Sequence, residues 1–200
     1  MAPTDTPLTR DQIVAAAEDV IRRFGPTKAT VVDVARALGV SHAAVYRHVA
    51  SKSELRDLVV DRWIEETMAP LREIAAQRGS ARQRLRRLFD ALIATKRRRA
   101  TDDPELFAAY RTLAQGAQSV VTAHVDDLIG LTAKIIIAGT EQGVFRSVDA
   151  QATARALLAA TARFHHPAHC SEWSAPGIER AFDEVWQLLM LGLCVDKSGT

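Results

Sequence analysis

Between Thr30 and Val49 the chain reads TVVDVARALGVSHAAVYRHV, and no other stretch limits the fold as much. Thr30 and Ser41 are good helix N-caps and Gly39 is a natural helix stop, so the stretch divides into one short helix to Leu38 and another to His48 or Val49. Neither is long enough to persist alone in water. Each must bury a face on the other. With Gly39 at the bend, the positions that must be small or apolar for close crossing are Val34, Ala35, Leu38, Val40 and Val45, and all five comply. The spacing predicts a helix-turn-helix pair.

Helix punctuation continues on both sides. Thr9-Arg-Asp-Gln12 and Ser51-Lys-Ser-Glu54 have the form of capping boxes. After the first, Ile13, Ala17, Val20, Ile21 and Phe24 recur at helical spacing up to Gly25-Pro26; the second opens a long helix running to about Gln77, broken at Gly79-Ser80. In the helix SARQRLRRLFDALIATKRRR, the residues Leu85, Leu88, Phe89, Leu92 and Ile93 face inward, and the run KRRR (96–99) is read as the helix end. TDDPELFAAYRTLAQGA starts a further helix. A long helix from Ser119 to about Gln142 ends at Gly143, another runs from Asp149 to about Phe164, and a last one from about Ile178 to Val195. The expected fold is all-α with about nine helices. A three-helix domain (8–54) precedes a larger helical domain (55–200).

Composition narrows the class. About half of the 200 residues are hydrophobic and a quarter charged, as in ordinary globular proteins. No apolar run approaches the ~18 residues of a membrane helix, MAPTDTPLTR has no signal-peptide core, and two cysteines make no disulfide framework. A cytoplasmic setting is expected, without membrane association. Charge is uneven: eight basic against six acidic side chains in residues 1–56, eleven against six in 57–100, and seven against twelve in 101–200. Such asymmetry fits an anionic partner at one end of the chain.

The outward set on the third helix is His42, Ala43, Ala44, Tyr46, Arg47 and His48. Small residues let a helix backbone sink into a DNA major groove, and alanine methyls can meet thymine methyls. Tyr46, Arg47 and His48 supply donors where phosphates flank the groove, and Lys52 sits in the first turn of the following helix.

Residues 8–60 resemble the DNA-binding domain of the tetracycline-repressor (TetR) family of bacterial transcription regulators. The match is carried by Phe24-Gly25, Thr30, Val34-Ala35, Leu38-Gly39-Val40-Ser41, Tyr46-Arg47-His48, Lys52 and Glu54-Leu55. EQGVFRSVDAQATARALLAA resembles the family's link between its central helix and a dimerisation helix. Val49 stands where the family usually has an aromatic residue. The resemblance implies phosphate contacts from Thr30, Tyr46, His48 and Lys52, and base contacts from His42, Ala43, Ala44 and Arg47. It also implies a homodimer through helices near 149–166 and 178–195, a double-stranded operator with near-palindromic sequence, and a small-molecule effector that relieves repression.

For the effector, aromatic and polar-tipped residues give the candidates Trp63, Phe89, Phe107, Tyr110, His124, Phe164 and His165. FHHPAHC (164–170) raises an alternative, a metal-responsive regulator using His165, His169 and Cys170, with His124 approaching from another helix. Pro167 breaks the helix that would align His165 with His169, which favours a helix-end or interface role for the cluster. The KRRR run is expected to complement its helix dipole beside Asp102 and Asp103, with an anion-binding or DNA-flanking role as a second reading. No Glu-x-x-His pair, P-loop, dinucleotide-binding glycine fingerprint or G-x-S-x-G elbow is present. Neither an enzyme nor a resident cofactor is expected.

Overall fold

The computed structural model describes residues 7–195. Its helices are α1 (Arg10–Phe24), α2 (Val31–Leu38), α3 (His42–Tyr46), α4 (Lys52–Ala76), α5 (Ala81–Asp102), α6 (Pro104–Gly116), α7 (Gln118–Glu141), α8 (Ala150–Ala160), α9 (Ala162–His165) and α10 (Ile178–Leu193), with a 3-10 turn over Pro167–Glu172. Among the described residues there is no strand, only an isolated antiparallel bridge between Phe145 and Cys194. The all-α expectation holds, but with ten α-helices and a 3-10 turn rather than about nine helices. The chain forms two compact units: the described residues up to 65 with Asp103–Thr122, and Glu66–Asp102 with the described residues from 123 onward.

In the first unit α1 buries Ile13, Val14, Ala17, Val20 and Ile21 and packs on α2 and α6. The Thr9–Gln12 capping box forms as expected: Gln12 N donates to Thr9 Oγ1 at 3.2 Å and Thr9 N to Gln12 Oε1 at 2.9 Å. Asp103 caps α6 by accepting from Leu106 N at 2.9 Å, and it also pairs with Arg22 of α1 at 3.1 Å. This carboxylate therefore ties two helices together.

In the second unit the bridge joins the ends of α7 and α10. Arg146 N donates to Leu193 O at 2.9 Å and Val195 N to Val144 O at 3.2 Å. Gly143 makes the required left-handed turn at φ +66°, and Asp149 caps α8 by accepting from Ala152 N at 3.0 Å. Phe145 packs so closely on Gly139 that a Cβ there would lie 2.0 Å from the ring. Arg84, buried on α5, donates to the carbonyls of Ala75 (3.2 Å) and Gln77 (2.8 Å), satisfying carbonyls that the end of α4 leaves open.

Two sequence readings need correction. The helix expected from Asp149 to Phe164 is broken at Thr161, whose φ and ψ of −99° and 4° leave the helical region. The Thr161 hydroxyl donates back to Leu157 O at 2.7 Å, a bond that Thr132 also makes to Leu128 O inside the unbroken α7. The KRRR run does not end its helix either. α5 continues to Asp102, so residues 96–99 lie inside it, where Arg99 pairs with Glu66 and Arg97 lies 3.9 Å from Glu179.

Candidate functional site

The α2–turn–α3 hairpin is built as its sequence demands. Thr30 Oγ1 accepts from Asp33 N at 3.2 Å, and Asp33 Oδ2 accepts from both Thr30 Oγ1 (2.5 Å) and Thr30 N (3.2 Å). The Thr30 hydroxyl holds the Asp33 carboxyl below its ordinary pKa, helped by Arg36 at 3.0 Å. Gly39 takes the left-handed conformation, φ 66° and ψ 27°, and Val40 N donates to Ala35 O at 3.0 Å to close α2. Ser41 caps α3 by accepting from Ala44 N at 3.2 Å.

Of the five expected contact residues, Val34, Ala35 and Val45 are completely buried, while Leu38 and Val40 are partly so. Val49 is also completely buried, so its side chain serves packing. This burial orients the remainder. His42, Ala43, Tyr46 and Arg47 are exposed, and Ala44 and His48 are half-buried. α3 proper is only five residues long, shorter than expected, but His48 N and Val49 N both still donate to Val45 O, at 2.9 and 3.1 Å.

The next helix is anchored beside this surface. Glu54 N donates to Ser51 Oγ at 3.1 Å, but the Glu54 carboxylate reaches back to Ala50 N (2.7 Å), one residue before the cap. The exposed Lys52 ammonium donates to Thr27 O at 2.7 Å, clamping the loop between α1 and α2. An ammonium has three donors, so this bond leaves capacity for another acceptor.

The seven expected effector contacts separate into two groups. Trp63, Phe107 and Tyr110 lie in the first unit, with Trp63 stacked on Tyr110 at 4.7 Å and 16° and tilted against Phe107 at 6.2 Å. Phe89, His124, Phe164 and His165 lie in the second. There Phe89 meets His165 edge-on at 6.4 Å, and Phe164 packs on Phe182 at 5.2 Å. All seven are buried.

Lys96, the first residue of the KRRR run, influences the second group electrostatically. Its charge acts on both His124 and His165. Burial, with the neighbouring positive charge of Lys96, pushes each imidazole down to about 3. Burial, with Arg99 nearby, lowers Lys96 to about 8. The histidines are therefore neutral near pH 7, and the lysine is mostly charged.

The metal reading finds no assembled ligand set. His165 Nε2 is engaged with Thr161 Oγ1 at 3.2 Å, whereas His169 Nδ1 contacts Glu172 at 3.0 Å and Arg163 pairs with that same carboxylate. No group of three or more His, Cys, Asp or Glu among the described residues could hold a metal ion. No helix of the described residues is long and apolar enough to cross a membrane.

The fold and the exposed face of α3 define a helix-turn-helix protein of the transcription-regulator class. Residues 13–59 match the family model of bacterial regulatory proteins of the tetR family, and residues 81–186 match the tetracyclin repressor-like C-terminal domain. The chain belongs to the TetR family. No curated protein sequence matches it. Among solved structures it is similar to SmeT, the repressor of the Stenotrophomonas maltophilia multidrug efflux pump SmeDEF, with 20% identity, coverage of 96% of this chain and 95% of that one, and a TM-score of 0.70. A SmeT–triclosan complex matches at 18% identity, 94% and 92% coverage and a TM-score of 0.67. NalD, the secondary repressor of the MexAB-OprM multidrug efflux pump in Pseudomonas aeruginosa, matches at 18% identity, 94% and 97% coverage and a TM-score of 0.60. At such identities these structures speak to fold alone.

Proposed function

We propose that this chain is a homodimeric repressor that holds a near-palindromic operator and is released by a small organic effector. The observation that carries the reading is the α2–α3 hairpin: a sealed contact of Val34, Ala35 and Val45 behind an exposed face of His42, Ala43, Tyr46 and Arg47. Residues 8–54 form the reading domain and residues 55–200 the effector-binding and dimerising one. Thr30, Tyr46, His48 and Lys52 hold phosphates, while His42, Ala43, Ala44 and Arg47 read base edges. The dimer forms through the helices near 149–166 and 178–195. This is supported by Leu188 and Leu191 on α10, 70% and 71% exposed, a large apolar exposure that a second copy would cover. Effector binding acts by favouring a conformation with lower affinity for the operator. SmeT, a repressor by name and solved with triclosan, is an example of a similar fold accepting a small molecule.

The test is DNA binding measured against salt. Affinity should fall steeply with added salt. Tyr46→Phe and Lys52→Ala should weaken binding to every sequence alike, Lys52→Ala also lowering the salt slope by about 1, whereas His42→Ala should change sequence preference. Equal losses on all sequences from all three variants would refute the division into anchoring and reading residues.

A further inference from the structure

Two clefts on the second unit share a wall. Ser80, Arg82, Gln83, Arg86 and Arg87 line one together with Trp186, in a volume of about 660 Å³. The other, of about 640 Å³, follows the end of α10, where Trp186, Met190, Leu191 and Val195 line it. Ser80, Arg82 and Trp186 belong to both. A basic surface on the first turns of α5 therefore runs directly into an apolar one on α10.

Both walls are fixed within the chain. Gln142, just past α7, accepts from Ala81 N at 2.9 Å and donates to Gly79 O at 3.0 Å, which pins the start of α5. Arg146 Nε donates to Cys194 O at 3.1 Å, and the Phe145–Cys194 bridge holds the end of α10.

The three arginines are not equivalent. Arg86 is committed: it pairs with Asp90 at 2.8 Å and Asp183 at 2.7 Å, and its guanidinium lies over the rings of Phe182 and Trp186 at 4.9 and 5.7 Å. Arg82 and Arg87 are exposed, with no carboxylate partner among the described residues. Of these two, Arg82 lines both clefts.

The complement to this surface lies on α10 and just beyond it. Glu184, Leu188, Leu191 and Val195 recur every three or four residues, so they form one stripe, and all four are exposed. The Glu184 carboxylate lies 3.6 Å from Arg180, but both side chains stand mostly in water, where such a pair holds weakly. A two-fold axis brings the stripe of one copy onto the clefts of another. With α10 antiparallel to the partner's α10 and the axis passing close to Leu188, the partner's Glu184 lies opposite Gly192, one residue from Leu191 in the wall of the apolar cleft that Arg82 shares. Parallel packing would instead set Glu184 against the partner's Glu184 and leave Arg82 unpaired. Charge selects the antiparallel arrangement.

We propose that a second copy of the chain completes this face: antiparallel α10 helices cover Leu188 and Leu191, and the partner's Glu184 pairs with Arg82 at the start of α5, reciprocally in the two copies. This rests on the homodimer reading and adds to it a third contacting helix, an orientation and the ion pair that specifies it.

Sedimentation equilibrium of the full chain tests it, with circular dichroism to show that each variant keeps its helicity. Arg82→Glu and Glu184→Arg should each raise the dimer Kd about tenfold or more, because each sets like charges against each other at both ends of the interface. The combined variant reverses the pair and should return to within about threefold of the unsubstituted chain. Arg98→Glu, outside both clefts, should leave the dimer unchanged. A Kd unaltered by either single substitution would overturn the proposal and leave the clefts to another partner. Losses that merely add in the combined variant would overturn it too. The homodimer reading fails differently. An unsubstituted chain that sediments as a monomer removes that reading and the proposal with it, whereas a dimer indifferent to both charges removes the proposal alone.

Discussion

Gly139 has no room for a side chain. A Cβ at this position would sit 2.0 Å from the Phe145 ring, which is completely enclosed and has little room to retreat. Gly139→Ala should lower stability by about 1–3 kcal/mol, the usual cost of overpacking, read as a lower urea midpoint; an unchanged midpoint would mean that Phe145 moves freely. His124 and His165 carry a second prediction. Both imidazoles are pushed to about 3 in the fold, against about 6.5 unfolded. Below pH 6.5 the unfolded chain binds more protons, so the stability present above that pH is lost progressively as pH falls towards 3. At pH 5.5 each histidine should cost on the order of 1 kcal/mol. The melting temperature should therefore drop between pH 7 and 5.5, and less so in a His124→Asn, His165→Asn double variant; equal drops would remove the histidines as the cause. Single residues were unevenly legible in the sequence. Lys96 continues the apolar row Leu85, Leu88/Phe89, Leu92 at helical spacing, and that signal alone could have separated it from the exposed Arg98. What hid it was the apparent end of the helix. Gly139 gave no such signal, because its constraint comes from a residue beyond the turn.

At the scale of elements, caps and stops were the most readable features. Thr9, Thr30, Ser41, Asp103 and Asp149 all accept the hydrogen bond of an N-cap, because a hydroxyl or carboxylate at that position acts locally. Helix ends without such a local marker were misread. The break at Thr161 has no local marker, since Thr132 makes the same hydroxyl back-bond inside the unbroken α7, and the continuation of α5 through KRRR is supported by carboxylates on other helices, Glu66 and Glu179. The shortness of α3 makes its cap decisive. Ser41→Ala should cost about 1 kcal/mol and speed hydrogen exchange at Val45, His48 and Val49 while leaving α10 amides unaffected. Uniform acceleration would indicate global rather than local loosening.

At the scale of the molecule, membership of the TetR family was carried by residues 8–60, where a short pattern must satisfy turn, packing and exposure together. The effector region was less legible. The same aromatic residues serve equally for core packing, and the seven named candidates fall into two separate groups. The dimer reading makes its own prediction. Leu188→Asp with Leu191→Asp should yield monomers by sedimentation without loss of helicity, since both side chains are exposed; a persistent dimer would place the interface elsewhere. Selection of bound sequences from random double-stranded DNA by the full chain tests the central claim most directly. A homodimeric operator-binding repressor should enrich a near-palindrome with half-sites about one helical turn apart or a multiple of it, and the Leu188/Leu191 double variant should lose it. Enrichment of a single unrepeated motif, or of none, would contradict it.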